Sequence, residues 1–346
     1  SVEEDVIGKL SFVAHQSGTG SGGTRNISGT TQQHQSLEQT ISAWHQKEAA
    51  LIFGSAYLAN LTALQTLGRQ IPDLVFFSDE RNHASLIEGM RSAGNKKIIF
   101  RHNDPEHLEE LLQQVPAVTP KLIVFESVYS MNGNIAPVKS FIHLAKKYNA
   151  ITYIDEVHAI GLYGNTGAGI CAQEDVLDQI DIINGTLAKS VGVIGGYITA
   201  TQHFIDFIRS FGSGFIFTTS LPPAICAAAE KSIQLIRQSS ALRTSMHGLV
   251  TYLRRLLDEA GISWKRNQSH ITTIVIGEAA RCKRIADRLL DEYGVYVQPI
   301  NHPTVPVGEE CLRLIVTARH NREQATHFVN SLKKIFIEEG THHLQA

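Results

Sequence analysis

Two hydrophobic rhythms alternate along most of the chain. Short apolar runs rich in β-branched residues recur at AALIF (49–53), LVFF (74–77), KKIIFR (96–101), KLIVFES (121–127), AITYIDE (150–156), DIINGTL (181–187) and GGYITA (195–200). Between them the spacing turns helical. SLEQTISAWHQKEAA carries Leu37, Ile41 and Trp44 at i, i+4 and i+7, one face of an amphipathic helix. SAYLANLTALQTLG, HASLIEGMRSAG and PVKSFIHLAKKYNA read the same way, the last with Pro137 suitably early for a first helical turn. Such alternation predicts an α/β fold, a mostly parallel central sheet covered by helices on both faces.

After the helical PAICAAAEKSIQLIRQ the texture changes. A long amphipathic stretch, ALRTSMHGLVTYLRRLLDEAG, leads to ITTIVIG, VYVQPI and CLRLIV, with helical segments between and after. The expected organisation is a large domain over 1–237 and a smaller α+β domain over 238–346. Ahead of the first helix-like pattern lies a glycine- and hydroxyl-rich loop, SGTGSGGTRNISGTTQQH (17–34).

Composition narrows the function classes. With 43% hydrophobic and 18% charged residues, a formal charge of −2 and no basic block, the chain lacks the electrostatic footprint of a nucleic-acid binder. No apolar stretch approaches the length of a membrane helix, and SVEEDVIGKL has neither signal- nor transit-peptide character. Four scattered cysteines without C-x-x-C spacing suit a reducing cytoplasm and supply no zinc framework. Among the histidines, the terminal THHLQA is expected to be a solvated tail rather than a metal site, and no metal is expected.

In open parallel sheets, ligands collect beyond the carboxyl ends of the strands. Polar residues gather at those ends here: Ser130 after KLIVFES, Asp155 and His158 after ITYI, Thr186 and Lys189 after DIIN. A lysine amine can bond covalently to an aldehyde cofactor, of which pyridoxal 5'-phosphate (PLP) is the common one. A carboxylate against the pyridine nitrogen keeps that ring protonated and electron-accepting. FGSAYLAN offers a helix N-terminus at Ser55 to Tyr57 for the phosphate; spacing alone supports a plain capped helix equally well. The four letters DEVH also match a nucleic-acid-dependent ATPase box, but no G-x-x-x-x-G-K-[ST] loop accompanies them, Ala188 standing where NGTLAKS would need its glycine.

Taken in order, GSGGTRNISGT, HQKEAALIFGSAYLAN, FFSDERNHASLIEGMRSAG, FRHNDPEHLEELL, VFESVYSMNG, IDEVHAIGLYG, DIINGTLAKSVGVIGGYI, GFIFTTSLPP, YGVYVQPINHPTVP and LRLIVTARH resemble the α-oxoamine synthases, PLP-dependent transferases of fold type I. The resemblance covers essentially the whole chain and is nearest to members that use glycine and succinyl-CoA. It implies Lys189 as the cofactor-bonding lysine, Asp155 at the pyridine nitrogen, Val157 beneath the ring, and His158 and Ser130 at its phenolic oxygen. It also implies His83 stacked over the cofactor, and Ala56, Tyr57 and Thr186 at the phosphate. Thr218 and Thr219 would reach the phosphate of a neighbouring subunit, which implies a homodimer with shared active sites.

For substrates the resemblance implies Thr24 and Asn26 at the distal carboxylate of succinyl-CoA and Ile27 bounding the acyl pocket. Ser78 and Lys97 would contact CoA, Thr304 lie in the substrate site, and Arg313 hold the carboxylate of glycine, a task that suits a guanidinium fork. The implied reaction is condensation of glycine with succinyl-CoA, with loss of CoA and carbon dioxide, to 5-aminolevulinate, the first step of haem and tetrapyrrole synthesis. A related synthase with another acyl-CoA, such as one making 2-amino-3-ketobutyrate, and an inactive homologue are the alternatives. The implied setting is the cytoplasm, or the mitochondrial matrix in a eukaryote. Three departures stand out. The family's upstream N-D-Y-L-G segment is not in the sequence, so an N-terminally shortened chain is expected. Ala188 and Asn132 replace a glycine and an aspartate, and Val316 and Ala318 replace two prolines.

Overall fold

A computed structural model describes residues 3–340; THHLQA lies outside the described residues. Ten strands form: β1 (Ala49–Phe53), β2 (Val75–Asp79), β3 (Lys97–Phe100), β4 (Lys121–Glu126), β5 (Ile151–Asp155), β6 (Ile182–Thr186), β7 (Gly196–Ala200), β8 (Ile271–Val275), β9 (Gln298–Ile300) and β10 (Cys311–Ile315). The first seven make one sheet in the order β1-β7-β6-β5-β4-β2-β3. β2, β3, β4, β5 and β6 pair in parallel, while β7 runs against both β1 and β6. β8, β10 and β9 form a separate antiparallel sheet.

Side-chain alternation shows why the large sheet is buried on both sides. Along β1, Leu51 and Phe53 pack into one apolar cluster with helix Ala56–Gln70, whereas Ala50 and Ile52 pack into another with helices Gln32–Trp44 and Pro223–Gln238. β7 divides likewise, Ile198 and Ala200 to the first cluster and Tyr197 to the second. Successive residues of a strand point to opposite faces, so each strand needs apolar residues at nearly every position. That is the sequence texture observed.

The chain clusters into two compact units, one of Ser1–Val128 with Ala136–Ser240, the other of Tyr129–Ile135 with Ala241–Ala346. The division departs from the expected 1–237 and 238–346 chiefly in assigning residues 129–135 to the second unit. Asn267 holds that segment there, its amide donating to the Asn132 carbonyl at 3.1 Å, as does Thr273, whose hydroxyl donates to the Met131 carbonyl at 3.3 Å. The second unit has its own core, built from Leu253, Leu257, Ile274, Leu289, Leu312, Leu332, Phe336 and neighbours. Helix Glu4–Ser17, unexpected from SVEEDVIGKL, packs Val13 against Ala224 and Ala227.

At the end of helix Gln32–Trp44, His45 is buried with its Nε2 2.9 Å from the Tyr197 hydroxyl of β7. Burial, helped by the Lys47 charge, lowers its pKa from 6.5 to about 3. The unfolded chain therefore takes up a proton at this histidine below pH 6.5 while the folded one does not, and stability falls as pH drops. Urea unfolding of wild type between pH 7 and pH 5 is expected to lose about 2 kcal/mol more than His45→Gln over the same interval; equal losses would contradict the assignment.

Candidate active site

A cavity of about 280 Å³ opens where β4, β5 and β6 end and β7 begins. Its lining includes Ser55, Ala56, Tyr57, Asn60, His83, Ser85, Glu126, Asp155, Val157, His158, Thr186 and Lys189. Eight of the residues singled out in the sequence thus share one wall: Ala56, Tyr57, His83, Asp155, Val157, His158, Thr186 and Lys189. They come from the turn after β1, the turn after β2, and the ends of β5 and β6.

Asp155 ends β5 and is fully enclosed. Its Oδ1 accepts from the Val157 N–H at 2.8 Å, and its Oδ2 accepts from the Asn60 and Asn184 side-chain amides at 2.7 and 3.2 Å. Burial pushes its pKa up; the Asn60 amide, the Val157 N–H and the charge of Lys189 work against that rise. A buried carboxylate held by donors still favours a cationic partner. The next residue faces the other way: Glu156 accepts from Ser127 Oγ at 2.5 Å and from the Ile170 and Cys171 N–H groups at 3.0 and 2.8 Å. It clamps the turn that begins helix Ile170–Gln173.

The helix N-terminus faces the same cavity. Ser55 caps it, accepting from the Leu58 N–H at 3.1 Å, and the Ala59 N–H bonds to the Ser55 carbonyl. The first-turn N–H groups of Ala56 and Tyr57 precede these, the position at which helices bind anions. Gly196 makes the arrangement possible, since a Cβ there would lie 2.1 Å from the Ala56 nitrogen. Thr186 braces the adjoining turn, its Oγ1 accepting from the Ala188 N–H at 3.1 Å and donating to the Gly195 carbonyl. The Glu126 carboxylate accepts from the His83 N–H at 2.7 Å, and the His83 and Tyr57 rings meet edge-on at 6.4 Å.

The remaining expected residues fall elsewhere. Thr218 and Thr219 line a small crevice with Arg25, Phe53 and Phe215. Thr24 pairs with Thr219 in an isolated bridge, and its buried Oγ1 has no hydrogen-bond partner. Asn26 is exposed, and Ile27 is 86% exposed. Lys97 is exposed on β3. Ser78 is only 3% exposed; its hydroxyl donates to the Asp79 carbonyl and accepts from Asn82, away from the cavity lining. Ser130, Thr304 and Arg313 belong to the second unit, where Arg313 Nε donates to the Ser130 carbonyl at 2.8 Å and burial lowers the guanidinium's pKa. Sequence reasoning missed Asn60, Ser85, Glu126, Glu156 and Asn184. For Asn60 a signal existed: it sits in the apolar stripe with Ala63 and Leu64, and a buried amide must find partners.

The sequence model of the aminotransferase class I and II family matches residues 9–332. The chain is 52% identical to the 5-aminolevulinate synthase of Rickettsia bellii over 92% of its own length and 77% of that protein, and 49% identical to the 5-aminolevulinate synthase of Rhizobium meliloti over 92% and 79%. Among solved structures, a serine palmitoyltransferase from S. paucimobilis with bound PLP–myriocin is 30% identical, with a TM-score of 0.93 over 98% of this chain and 85% of that one. The chain belongs to the class I and II aminotransferases and, within them, to the 5-aminolevulinate synthase family. Its cofactor is PLP, a fold-type-I transferase's resident group.

The cavity suits that group on its own chemistry. One buried acid could pair with a protonated ring nitrogen, anion-seeking N–H groups stand at the helix end, and a primary amine shares the lining. Purified protein supplied with PLP is expected to show the visible absorbance of the covalently held cofactor and to trap it on borohydride reduction. Lys189→Ala should lose the trapped adduct completely, and a retained adduct would move the assignment to another lysine.

Proposed function

We propose that this chain condenses glycine with succinyl-CoA, releasing CoA and carbon dioxide and giving 5-aminolevulinate, the first step of haem and tetrapyrrole synthesis. One observation carries the proposal: a single cavity lined by Lys189, Asp155, His83 and Thr186 beside a helix N-terminus, in a chain about half identical to named 5-aminolevulinate synthases. PLP supplies an aldehyde that bonds to amines and a protonated ring that accepts an electron pair from the carbon beside a bound amine.

The residues then divide the work. Asp155 would pair with the ring nitrogen, and Val157, two residues on, would lie under the ring. His158 and Ser130 would hydrogen-bond the phenolic oxygen, and Ala56, Tyr57 and Thr186 would hold the phosphate. Lys189 would take a proton from the glycine α-carbon, which bonds the acyl carbon as CoA leaves, and would return a proton to that carbon once carbon dioxide has gone. General-base transfer of this kind contributes about 10²–10⁴-fold to rate. Arg313 holds the glycine carboxylate, and His83 polarises the thioester carbonyl.

Acyl choice is assigned to Thr24, Asn26 and Ile27, contact with CoA to Ser78 and Lys97, and a further place in the substrate site to Thr304. The unpartnered Thr24 Oγ1 is the support for Thr24: a buried hydroxyl without a partner favours a polar ligand atom. A homodimer is part of the proposal. Ile27 and Phe217, 86% and 82% exposed, flank the Thr24–Thr219 bridge, and apolar groups this open suit a protein partner. Thr218 and Thr219 would then serve the partner's cofactor. The cytoplasm is the proposed setting, in keeping with the bacterial relatives; no helix among the described residues is long and apolar enough to cross a membrane.

Incubation with glycine and a panel of thioesters is expected to yield 5-aminolevulinate from succinyl-CoA in preference to acetyl- or octanoyl-CoA. Thr24→Val should cut kcat/KM for succinyl-CoA about tenfold while sparing acyl chains that end in a methyl group, because a lost polar contact costs on the order of 1–3 kcal/mol. Equal losses on all thioesters would remove Thr24 from acyl selection.

A further inference from the structure

Asn60 is buried beside the cavity, and each of its side-chain polar atoms has a partner. Its Oδ1 accepts from the Tyr153 hydroxyl at 2.8 Å. Its Nδ2 donates to Asp155 Oδ2 at 2.7 Å and to Ser85 Oγ at 3.0 Å, which uses both amide hydrogens. The amide cannot be turned over. Tyr153 is fully buried, and burial with the nearby Asp155 pushes its pKa far up, so its hydroxyl stays a donor and marks which end of Asn60 is oxygen.

Direction then passes along the chain of bonds. Ser85 Oγ accepts from Asn60 and keeps its own hydrogen for His83 Nδ1, 2.8 Å away. The same Nδ1 accepts the Ser85 backbone N–H at 3.2 Å, so the imidazole caps helix Ala84–Ala93. A ring nitrogen that accepts two hydrogen bonds carries no proton, and a neutral imidazole has one hydrogen to place. It lies on Nε2.

We infer that Asn60 is a positioning residue that sets two functional groups together: it aims the Asp155 carboxylate and, through Ser85, holds His83 as the Nε2–H tautomer. His83 is thereby a hydrogen-bond donor through Nε2 and not a base at Nδ1. A proton added at Nδ1 would confront the Ser85 N–H and force the Ser85 hydroxyl to turn, breaking a series of bonds that ends on Asp155. Charge at the ring-nitrogen partner and charge at the stacked imidazole are linked through one amide.

The test uses histidine-¹⁵N-labelled protein without PLP, with the His83 signals identified by their loss in His83→Gln, alongside equilibrium dialysis of PLP and thermal midpoints. Wild type is expected to show Nδ1 unprotonated and Nε2 protonated at neutral pH. Asn60→Ala should free the Ser85 hydroxyl to turn from His83, shifting the Nδ1 signal, and weaken PLP binding about tenfold or more, the loss expected when a hydrogen bond to a charged group goes. Ser85→Ala should shift the Nδ1 signal and cost PLP affinity less than Asn60→Ala does, because Asn60 keeps its bonds to Tyr153 and Asp155. If Asn60→Ala does not fold, Ser85→Ala and the wild-type tautomer still decide. An Nδ1–H wild type overturns the inference, as does an Asn60→Ala protein that loses thermal midpoint alone while His83 and PLP affinity stay as in wild type. The tautomer measurement needs neither PLP nor acyl-CoA, so it stands or falls separately from the proposed function.

Discussion

A carboxylate enclosed at the end of β5 sets the terms for the structure around it. Burying a charge without partners is prohibitive, and Asp155 draws its partners from three places: the Asn60 amide on helix Ala56–Gln70, the Asn184 amide on β6, and the N–H of Val157 in its own loop. Each is in reach only if β5 and β6 pair in register and the helix seats its apolar face on the sheet. The register of Asp155 opposite Asn184 is the pairing found. Fold and site are therefore one requirement, since a strand slipped by one residue would turn Asp155 to the other face.

That other face is already taken. Glu156 follows directly, points the opposite way and is equally buried, with pKa raised by burial and countered by bonds from Cys171, Ser127 and Ile170. Gly169 lies so close that a Cβ on it would come within 2.7 Å of the Glu156 carboxylate. Two neighbouring acids thus do unlike work because a strand's period is two. One is turned to the cavity; its neighbour ties the loop that carries Val157 and His158 down to the helix after it. The DEVH letters gain their meaning from this alternation.

The elements most legible in the sequence are those with the strongest constraint. The inner strands of a sheet covered on both faces must be apolar almost throughout, and their runs stand out, while edge strand β3 leaves Lys97 and Ile99 exposed. Helix Glu4–Ser17 did not, because it buries little beyond Val6 and Val13 and leaves Ile7 and Phe12 exposed, so its pattern lacks a clean stripe. Residues 129–135 were assigned by sequence proximity, whereas side-chain amides and hydroxyls from the second unit decide where they belong. At the site, Asp155, Thr186 and Lys189 were readable because strand ends in a parallel sheet are where ligands gather. Asn60 shows as a polar residue in an apolar stripe, but its partners Ser85, Tyr153 and Asp155, like the His83 N–H that Glu126 accepts, are distant in sequence, and one polar letter carries no sign of what it will meet. The substrate residues rest on resemblance alone, because no strand-end or helix-end rule points to them.

The loop bearing Thr24, Asn26 and Ile27 has an opposite design from the cavity. Its tip is open, yet its root holds a buried ion pair: Arg25 grips Glu38 through two bonds of 2.7 and 2.9 Å, and Glu38 also accepts the Ile52 N–H. Arg25 reaches Thr30 as well, and stacks its guanidinium over Phe215 at 5.6 Å. Such a pair contributes little net stability, because desolvation offsets attraction. Its effect here is geometric. A glycine-rich loop with few apolar side chains has no packing to choose its shape, and a bidentate fork admits one orientation. Fixing the residue between Thr24 and Asn26 sets the backbone on either side of it, with Gly29 too close to the opposite strand of the loop for any side chain, a Cβ on it falling 2.2 Å from the Gly23 carbonyl. The exposure of Ile27 is then a consequence of a rigid root: the backbone is held from below, and the side chain at the tip is left without apolar neighbours to cover it.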